Sequence, residues 1–219
     1  MDLLAPIDQY CERTNQGLLG EPLNLFTNIG FIIAGLLILK SLKSRPAQIR
    51  RPGARFLGAL ILVIGVGSAL FHSFANVLSM WADVLPIGIF LISYLWLFLR
   101  HVALARIPWA LTLLAGFFII SFFAARLADP VAANGGQAYF GTWITLFGIA
   151  CFYGGRREKA QQLEMTAAAI IFSLSLFLRT VDEKYCGIWP HGTHVFWHVL
   201  NSVVLYLVTK AYISTPGRS

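Results

Sequence analysis

The sequence predicts an all-α integral membrane protein, a bundle of seven transmembrane helices with its N-terminus outside and its C-terminus in the cytoplasm. The first observation behind this is composition: 57% of the 219 residues are hydrophobic and 12% are charged, whereas about a quarter of the residues of a soluble domain are charged. The second is a set of seven apolar stretches, each of about 17–25 residues, which is the length that crosses a hydrocarbon core. The third is the distribution of basic residues between the loops.

The apolar stretches follow one another with short connections. The fifth is the weakest prediction, because four glycines interrupt it. The seven apolar stretches lie near 23–41, 56–75, 79–99, 107–126, 138–154, 164–180 and 193–212.

The start of the chain, MDLLAPIDQYCERTNQ, has no basic region and no continuous apolar core, so it is not a signal peptide. We expect a single seven-helix transmembrane domain over residues 1–219. It would comprise an extracytoplasmic segment at 1–22, the helix bundle at 23–212 and a cytoplasmic tail at 213–219.

Charge supports this topology. Thirteen of the 17 lysines and arginines fall on one side of a seven-helix arrangement, and the positive-inside rule makes that side cytoplasmic. Most acidic residues fall on the other side. The net charge of +7 therefore indicates membrane orientation and not nucleic-acid binding, and no obligate protein partner is evident. The basic residues of the outer side are Arg13, Arg126, Arg179 and Lys184.

Five polar residues are predicted at one depth, near the outer ends of three spans. The second span carries Ser68 and His72, the third carries Asp83 in its first turns, and the seventh begins with His194 and His198. Ionisable residues inside membrane spans are costly and usually functional. A cluster on three helices therefore indicates a site.

The spacing suits a zinc ion. His194 and His198 are four residues apart on one helical face, where both rings can bind a single zinc at about 2.0–2.1 Å. Adding His72 gives three histidines with an open fourth position, which is typical of catalytic zinc. Asp83 would then be a general base. The alternatives are a histidine that merely bonds neighbouring helices, and a Ser68 that merely allows close packing.

The N-terminal segment is acidic. Asp8, Glu12 and Glu21, followed by Asn24, offer the oxygen ligands that calcium prefers. A solvated acidic loop is the alternative, and the spacing alone favours that alternative.

Cysteine positions predict one disulfide. Cys11 and Cys186 both fall on the outer side, where disulfides persist, whereas Cys151 lies within the fifth span. A Cys11–Cys186 bridge would attach the N-terminal segment to the loop before the histidine helix.

Three blocks of sequence resemble the alkaline ceramidases, which are seven-helix membrane hydrolases related to adiponectin-receptor-like proteins. The blocks are YCERTN with EPLNLFTN, then GVGSALFHSFANVLSMWADVLP, then RTVDEKYCGIWPHGTHVFWHVLN. They occur in the family's order and span nearly the whole chain.

This resemblance implies roles for the clustered residues. Zinc would be bound by His72, His194 and His198, Asp83 would shuttle protons, and Ser68 would stabilise the tetrahedral oxyanion. Family members also bind calcium with the N-terminal segment. The resemblance supports the Cys11–Cys186 disulfide as well. The implied calcium ligands here are Asp8, Glu12, Glu21, a backbone oxygen of Tyr10, and a polar group at Thr14 or Asn15. The family has Trp where Tyr10 stands.

The expected function is therefore a zinc-dependent amidase with its active site toward the extracytoplasmic leaflet. Its partner would be a membrane lipid, a ceramide-like sphingolipid cleaved at its N-acyl bond. Two alternatives stay open: a related zinc hydrolase that cuts an ester or a lipid anchor, and a receptor-like protein in which zinc is structural.

Overall fold

The computed structural model describes residues 2–15, 17–43, 52–127, 129, 133–155 and 158–215. Within these ranges the chain is all-α, as predicted, and its only strand-like pairing is an isolated bridge between Pro6 and Asn76. Part of the predicted cytoplasmic tail, 216–219, lies outside the described residues. So do several basic residues that predicted the topology, namely Arg45, Arg50, Arg51, Arg156, Arg157 and Arg218.

All seven predicted segments are helical. Short 3-10 turns at Gly136–Tyr139 and Asp182–Tyr185 precede α6 and follow α7. The α-helices of the described chain are α1 (Pro22–Thr27), α2 (Ile29–Lys43), α3 (Pro52–Phe74), α4 (Val77–His101), α5 (Ile107–Ala124), α6 (Phe140–Gly154), α7 (Lys159–Val181) and α8 (His194–Ser214).

Six spans in the described chain are long and apolar enough to cross a membrane, with α1 and α2 forming the first span together. The remaining predicted span, the fifth, corresponds to α6, which has 15 residues. At about 1.5 Å per residue it is about 22 Å long, less than the roughly 30 Å of a hydrocarbon core. The protein is thus a multi-pass membrane protein, while the seventh crossing and the orientation stay predictions.

Local sequence explains where several helices begin. Proline occupies the first turn of α1, α3 and α5, where its missing N–H costs nothing. Asn76 caps α4: its side chain accepts from the Ser79 N–H, and the Ser79 hydroxyl accepts from the Asn76 N–H. This cap fixes the start of the helix that carries Asp83.

The helices form a ring in chain order. Each helix from α2 to α8 contacts the next, α8 closes the ring against α2, and α8 also contacts α3. The contact between α3 and α8 joins the helix that carries His72 to the helix that carries His194 and His198. We refer to the end of the bundle where they meet as the histidine end.

The N-terminal segment covers the histidine end. Its backbone pairs with the connection between α3 and α4, where the Ile7 N–H donates to the Ala75 carbonyl at 2.7 Å and the Val77 N–H donates to the Ala5 carbonyl at 3.2 Å. The segment then continues past Tyr10, which is buried, to α1.

Candidate metal centre

His72, His194 and His198 form one buried group. Each has 1–2% of its surface exposed, and one potential ligand atom of each lies within 4.8 Å of the others. His72 comes from the last turn of α3, and the other two come from the first two turns of α8. Among the described residues this is the only group of three His, Cys, Asp or Glu side chains that could hold a metal ion.

Hydrogen bonds fix the tautomers of two of these rings. His72 Nδ1 lies 2.5 Å from a Glu21 carboxylate oxygen, which can only accept, so this nitrogen carries the proton. His198 Nδ1 lies 3.0 Å from the Thr27 hydroxyl oxygen, whose own proton goes to the Leu23 carbonyl at 2.7 Å. His198 therefore also donates from Nδ1. Each ring keeps its Nε2 lone pair free.

Those two lone pairs face each other. His72 Nε2 and His198 Nε2 are 3.0 Å apart in the interior. With both protons on Nδ1, neither nitrogen can donate, so the contact brings together two acceptors. The third ring, His194, has a buried Nδ1 with no hydrogen-bond partner. A cation between the three rings would satisfy all of them, so the donor set fits a metal ion.

A second layer of side chains orients these rings. The Glu21 carboxylate accepts from Arg13 Nε at 2.5 Å and from the Asn24 amide at 3.0 Å as well as from His72. Burial opposes its ionisation, but the hydrogen bonds from His72, Arg13 and Asn24 outweigh burial, so the pKa of the carboxyl lies below its usual value. Tyr10 stacks on His194, with ring centroids 3.7 Å apart.

Ser68 and Asp83 meet beside the histidines, on α3 and α4. The Ser68 side chain lies near the Asp83 carboxylate, and Asp83 is within electrostatic reach of His72. Asp83 Oδ1 is buried without a partner. Gly67 makes this meeting possible, because a Cβ on it would collide with the Ala82 carbonyl.

The disulfide between Cys11 and Cys186 is confirmed, with Cα atoms 5.2 Å apart. Cys151 is free and exposed. The bridge attaches the N-terminal segment, and with it Tyr10, to the loop that leads into α8.

Asp182 is a site residue that sequence reasoning missed. Its carboxylate is completely buried and accepts backbone N–H bonds from Cys11 at 3.1 Å, from Thr193, and from His194 at 2.8 Å. Gly192, with φ of +67°, permits this approach, since a Cβ there would collide with the Asp182 carboxylate. The sequence did contain a signal for this contact: Asp182 precedes Cys186, and Gly192 precedes the helix that begins at His194.

Arg179 is a second residue whose importance the sequence did not reveal. It was one of four basic residues of the predicted outer side, yet it is buried in the last turn of α7. Its Nη1 donates to the Tyr10 hydroxyl at 2.8 Å. Burial raises the pKa of Tyr10 far more than Arg179 lowers it, so the phenol stays protonated.

The residues implied as calcium ligands are either exposed or bonded to other groups of the protein. Asp8 is exposed, and the Glu12 carboxylate accepts the backbone N–H groups of Leu23 and Asn24 at 2.6 and 2.8 Å. Glu21 is paired with the buried guanidinium of Arg13. The described residues show no acidic group of three that could hold an ion here. Calcium binding therefore has no support from them and stays a prediction.

A cavity lies inside the bundle next to the histidines. It has a volume of about 90 Å³ and is lined mainly by apolar side chains of α2 to α8. Along α8 it extends from Trp197 to Val208, which is about 16 Å at the rise of an α-helix. Phe31 lines it and also contacts His198, with ring centroids 6.5 Å apart.

Fold and site together define a class of protein: a multi-pass helical membrane protein with a buried three-histidine group, a serine–aspartate pair beside it and an apolar cavity. The family model described as Ceramidase matches residues 7–215, and the chain belongs to this family. A comparison with curated proteins gave no match. Membership implies an amide hydrolase with a lipid substrate.

Proposed function

We propose that the protein is a zinc-dependent intramembrane amidase that hydrolyses the N-acyl bond of ceramide-like sphingolipids to a sphingoid base and a fatty acid. The facing Nε2 atoms of His72 and His198, 3.0 Å apart, carry this proposal. A cation bound between the two Nε2 lone pairs would satisfy both nitrogens, and three neutral imidazoles suit zinc.

His72, His194 and His198 would hold the zinc ion, which supplies Lewis acidity toward water and the amide carbonyl when it is bound. Side chains of the protein perform the proton transfers. Asp83 Oδ1, buried and without a partner, accepts a proton from the attacking water. As the new C–O bond forms, the carbonyl oxygen gains negative charge and accepts a hydrogen bond from the Ser68 hydroxyl.

The second half of the reaction returns the proton. Asp83 donates it to the amide nitrogen while the C–N bond breaks, so the sphingoid base leaves as an amine and the acyl group leaves as a fatty acid.

Substrate position follows from the cavity. The acyl chain would occupy the apolar space between the helices, and the amide would lie at its histidine end, where Phe31 and Trp197 border both the cavity and the histidines. The distribution of basic residues favours an extracytoplasmic position for this end.

The test combines metal analysis with product identification. Purified protein should contain about one zinc per chain and release sphingoid base and fatty acid from ceramide. His198→Ala should lose both properties. The matched control is His191→Ala, because His191 is exposed and three residues before His194.

Other results would redirect the proposal. Turnover of ester lipids without turnover of ceramide would indicate a related hydrolase of another lipid or lipid anchor. A protein that binds zinc but hydrolyses no lipid would indicate a receptor-like protein in which zinc is structural. In that case the Asp83→Asn variant should have the same zinc content and stability as the parent protein.

A further inference from the structure

Arg179 is a buried cation without an anionic partner. It is 7% exposed, and among the described residues, which include every Asp and Glu of the chain, no carboxylate forms an ion pair with it. A guanidinium stays charged in proteins. Leaving such a charge unpaired inside a membrane protein is costly, so its retention points to a ligand.

The unused donors lie on one edge of the guanidinium. Nη1 donates to the Tyr10 hydroxyl, whereas Nε is buried without a partner and no hydrogen bond from Nη2 to the described chain is found. Nε–H and Nη2–H point the same way. They form the edge that binds two oxygens of one phosphate or carboxylate group.

Aromatic rings surround the charge without satisfying these donors. The guanidinium carbon lies 5.5 Å from the ring centroids of Tyr10 and Tyr139 and 5.1 Å from that of Trp197. Such contacts stabilise a cation by about 2 kcal/mol or less each, but they offer no acceptor oxygen. Asp83, the acid within electrostatic reach, does not bond Arg179.

A notch beside Gly135 gives access to this edge. A Cβ on Gly135, whose φ is +71°, would lie 3.3 Å from the Gln9 amide nitrogen and 3.4 Å from Arg179 Nη2. Two N–H donors therefore converge on one point that glycine leaves open. Gly135 and Gln9 are both half-buried, so the notch is accessible.

The notch lies near the polar end of a bound lipid. Tyr139 and Trp197 line the cavity and also contact Arg179. The Tyr10 ring stacks on His194 and its hydroxyl accepts from Arg179 Nη1, so one side chain contacts both Arg179 and a histidine of the candidate metal centre. An anion would bind the opposite edge of the guanidinium, which Tyr10 does not use.

We propose that Arg179 and Gln9 form a subsite for a phosphate group on the headgroup of the lipid substrate. The proposal rests on the proposed function for the identity of that lipid. The Arg179 edge would bind two phosphate oxygens, and the Gln9 amide would donate to one of them.

Binding measurements test this separately from catalysis. Full-length protein carrying Asp83→Asn, to prevent turnover, is purified in detergent. Dissociation constants are measured for two N-acyl sphingoid lipids that differ only in a phosphate or a hydroxyl on the headgroup. We expect the phosphorylated lipid to bind at least about tenfold more tightly, since hydrogen bonds to charged groups contribute about 1.5–3 kcal/mol. Adding Arg179→Gln should bring the ratio close to one.

Further variants keep the test decisive. Gln9→Ala should lower the ratio by about threefold, and it decides the question if Arg179→Gln does not fold. Lys184→Gln is the matched control, because Lys184 is an exposed basic residue just beyond α7 and should leave the ratio unchanged.

Two results would overturn the proposal: no preference for the phosphorylated lipid, or a preference that survives Arg179→Gln. Stabilisation by inorganic phosphate equal to that by the phosphorylated lipid would show a site for free phosphate instead of a headgroup. Zinc content and ceramide turnover of the parent protein are measured alongside. A phosphate preference without turnover would refute the proposed function and leave the subsite standing.

Discussion

The carboxylate of Asp182 accepts the backbone N–H of His194 at 2.8 Å, so the helix that supplies two of the three histidines begins on a buried acid. The same carboxylate holds the backbone of Cys11. One side chain thus joins the N-terminal segment, the end of α7 and the start of α8.

Replacing this acid should disturb the metal centre without touching a ligand. Asp182→Asn retains one acceptor oxygen, so at least one buried N–H loses its partner. We expect a loss of about 1–3 kcal/mol in stability and a fall of about tenfold in zinc affinity, measured by thermal unfolding and chelator competition. Glu183→Gln, an exposed neighbour, is the control. Equal effects of both variants would contradict the role given to Asp182.

Gly67 sets the distance between Ser68 and Asp83. Gly67→Ala places a methyl group against the Ala82 carbonyl and should force α3 and α4 apart, at a cost of about 1–3 kcal/mol. Ceramide turnover should fall by about tenfold or more, since misplaced catalytic groups lose rate steeply, while zinc remains bound. Gly88→Ala on α4 is the control because nothing lies within 4 Å of its Cβ. Normal turnover in Gly67→Ala would show that the close approach is unnecessary.

Thr27 fixes the tautomer of His198. Thr27→Val keeps the shape of the side chain but removes the oxygen that accepts from His198 Nδ1. Zinc affinity should fall by about tenfold with a change in stability of about 1 kcal/mol. Thr112→Val serves for comparison, because Thr112 likewise donates to the carbonyl four residues earlier but is exposed. An unchanged zinc affinity would mean that the tautomer is held by other means.

The disulfide should matter for the site as well as for stability. Cys11→Ser frees the N-terminal segment that holds Tyr10 against His194. We expect a lower unfolding temperature and weaker zinc binding, with the same result after reduction of the parent protein. Cys151→Ser, which removes the free and exposed cysteine, should behave as the parent does. A Cys11→Ser variant with unaltered zinc affinity would confine the bridge to a stabilising role.

Arg13 provides a direct test of the calcium prediction. Its guanidinium is buried against Glu21 and also donates to the His72 carbonyl at 2.8 Å. If this cation replaces calcium, adding calcium or a calcium chelator should leave the unfolding temperature unchanged. Arg13→Gln should cost about 3–5 kcal/mol, because the buried Glu21 carboxylate loses its guanidinium partner. A clear rise in unfolding temperature with calcium would support the prediction instead.

Much of this architecture was accessible from sequence. Hydropathy located every helical segment, and the costly residues His72, Asp83, His194 and His198 marked the site because few ionisable groups occur in membrane spans. Helix direction then placed them at one level. Their meeting is supported by the structure, whereas their chemical roles stay predictions.

Residues whose role depends on tertiary neighbours were missed. Arg13 stands within an acidic stretch, and only the fold shows that it occupies the space beside Glu21. Asp182 and Arg179 looked like ordinary polar residues at a helix end, since their partners lie on the distant N-terminal segment. The length of α6 was likewise overestimated, because a 3-10 turn replaces its first residues.

The order of the chain imposes an order on assembly. His72 is synthesised with the early helices, but His194, His198, Asp182 and Cys186 all belong to the last part of the chain. During synthesis His72 can therefore meet Glu21 and Arg13 early, but it meets the other two histidines only after the final helix is made. The Cys11–Cys186 disulfide likewise forms only after Cys186 has been made. A chain that ends before residue 194 has most of the helices but only His72 of the three clustered histidines, so it lacks the three-histidine group.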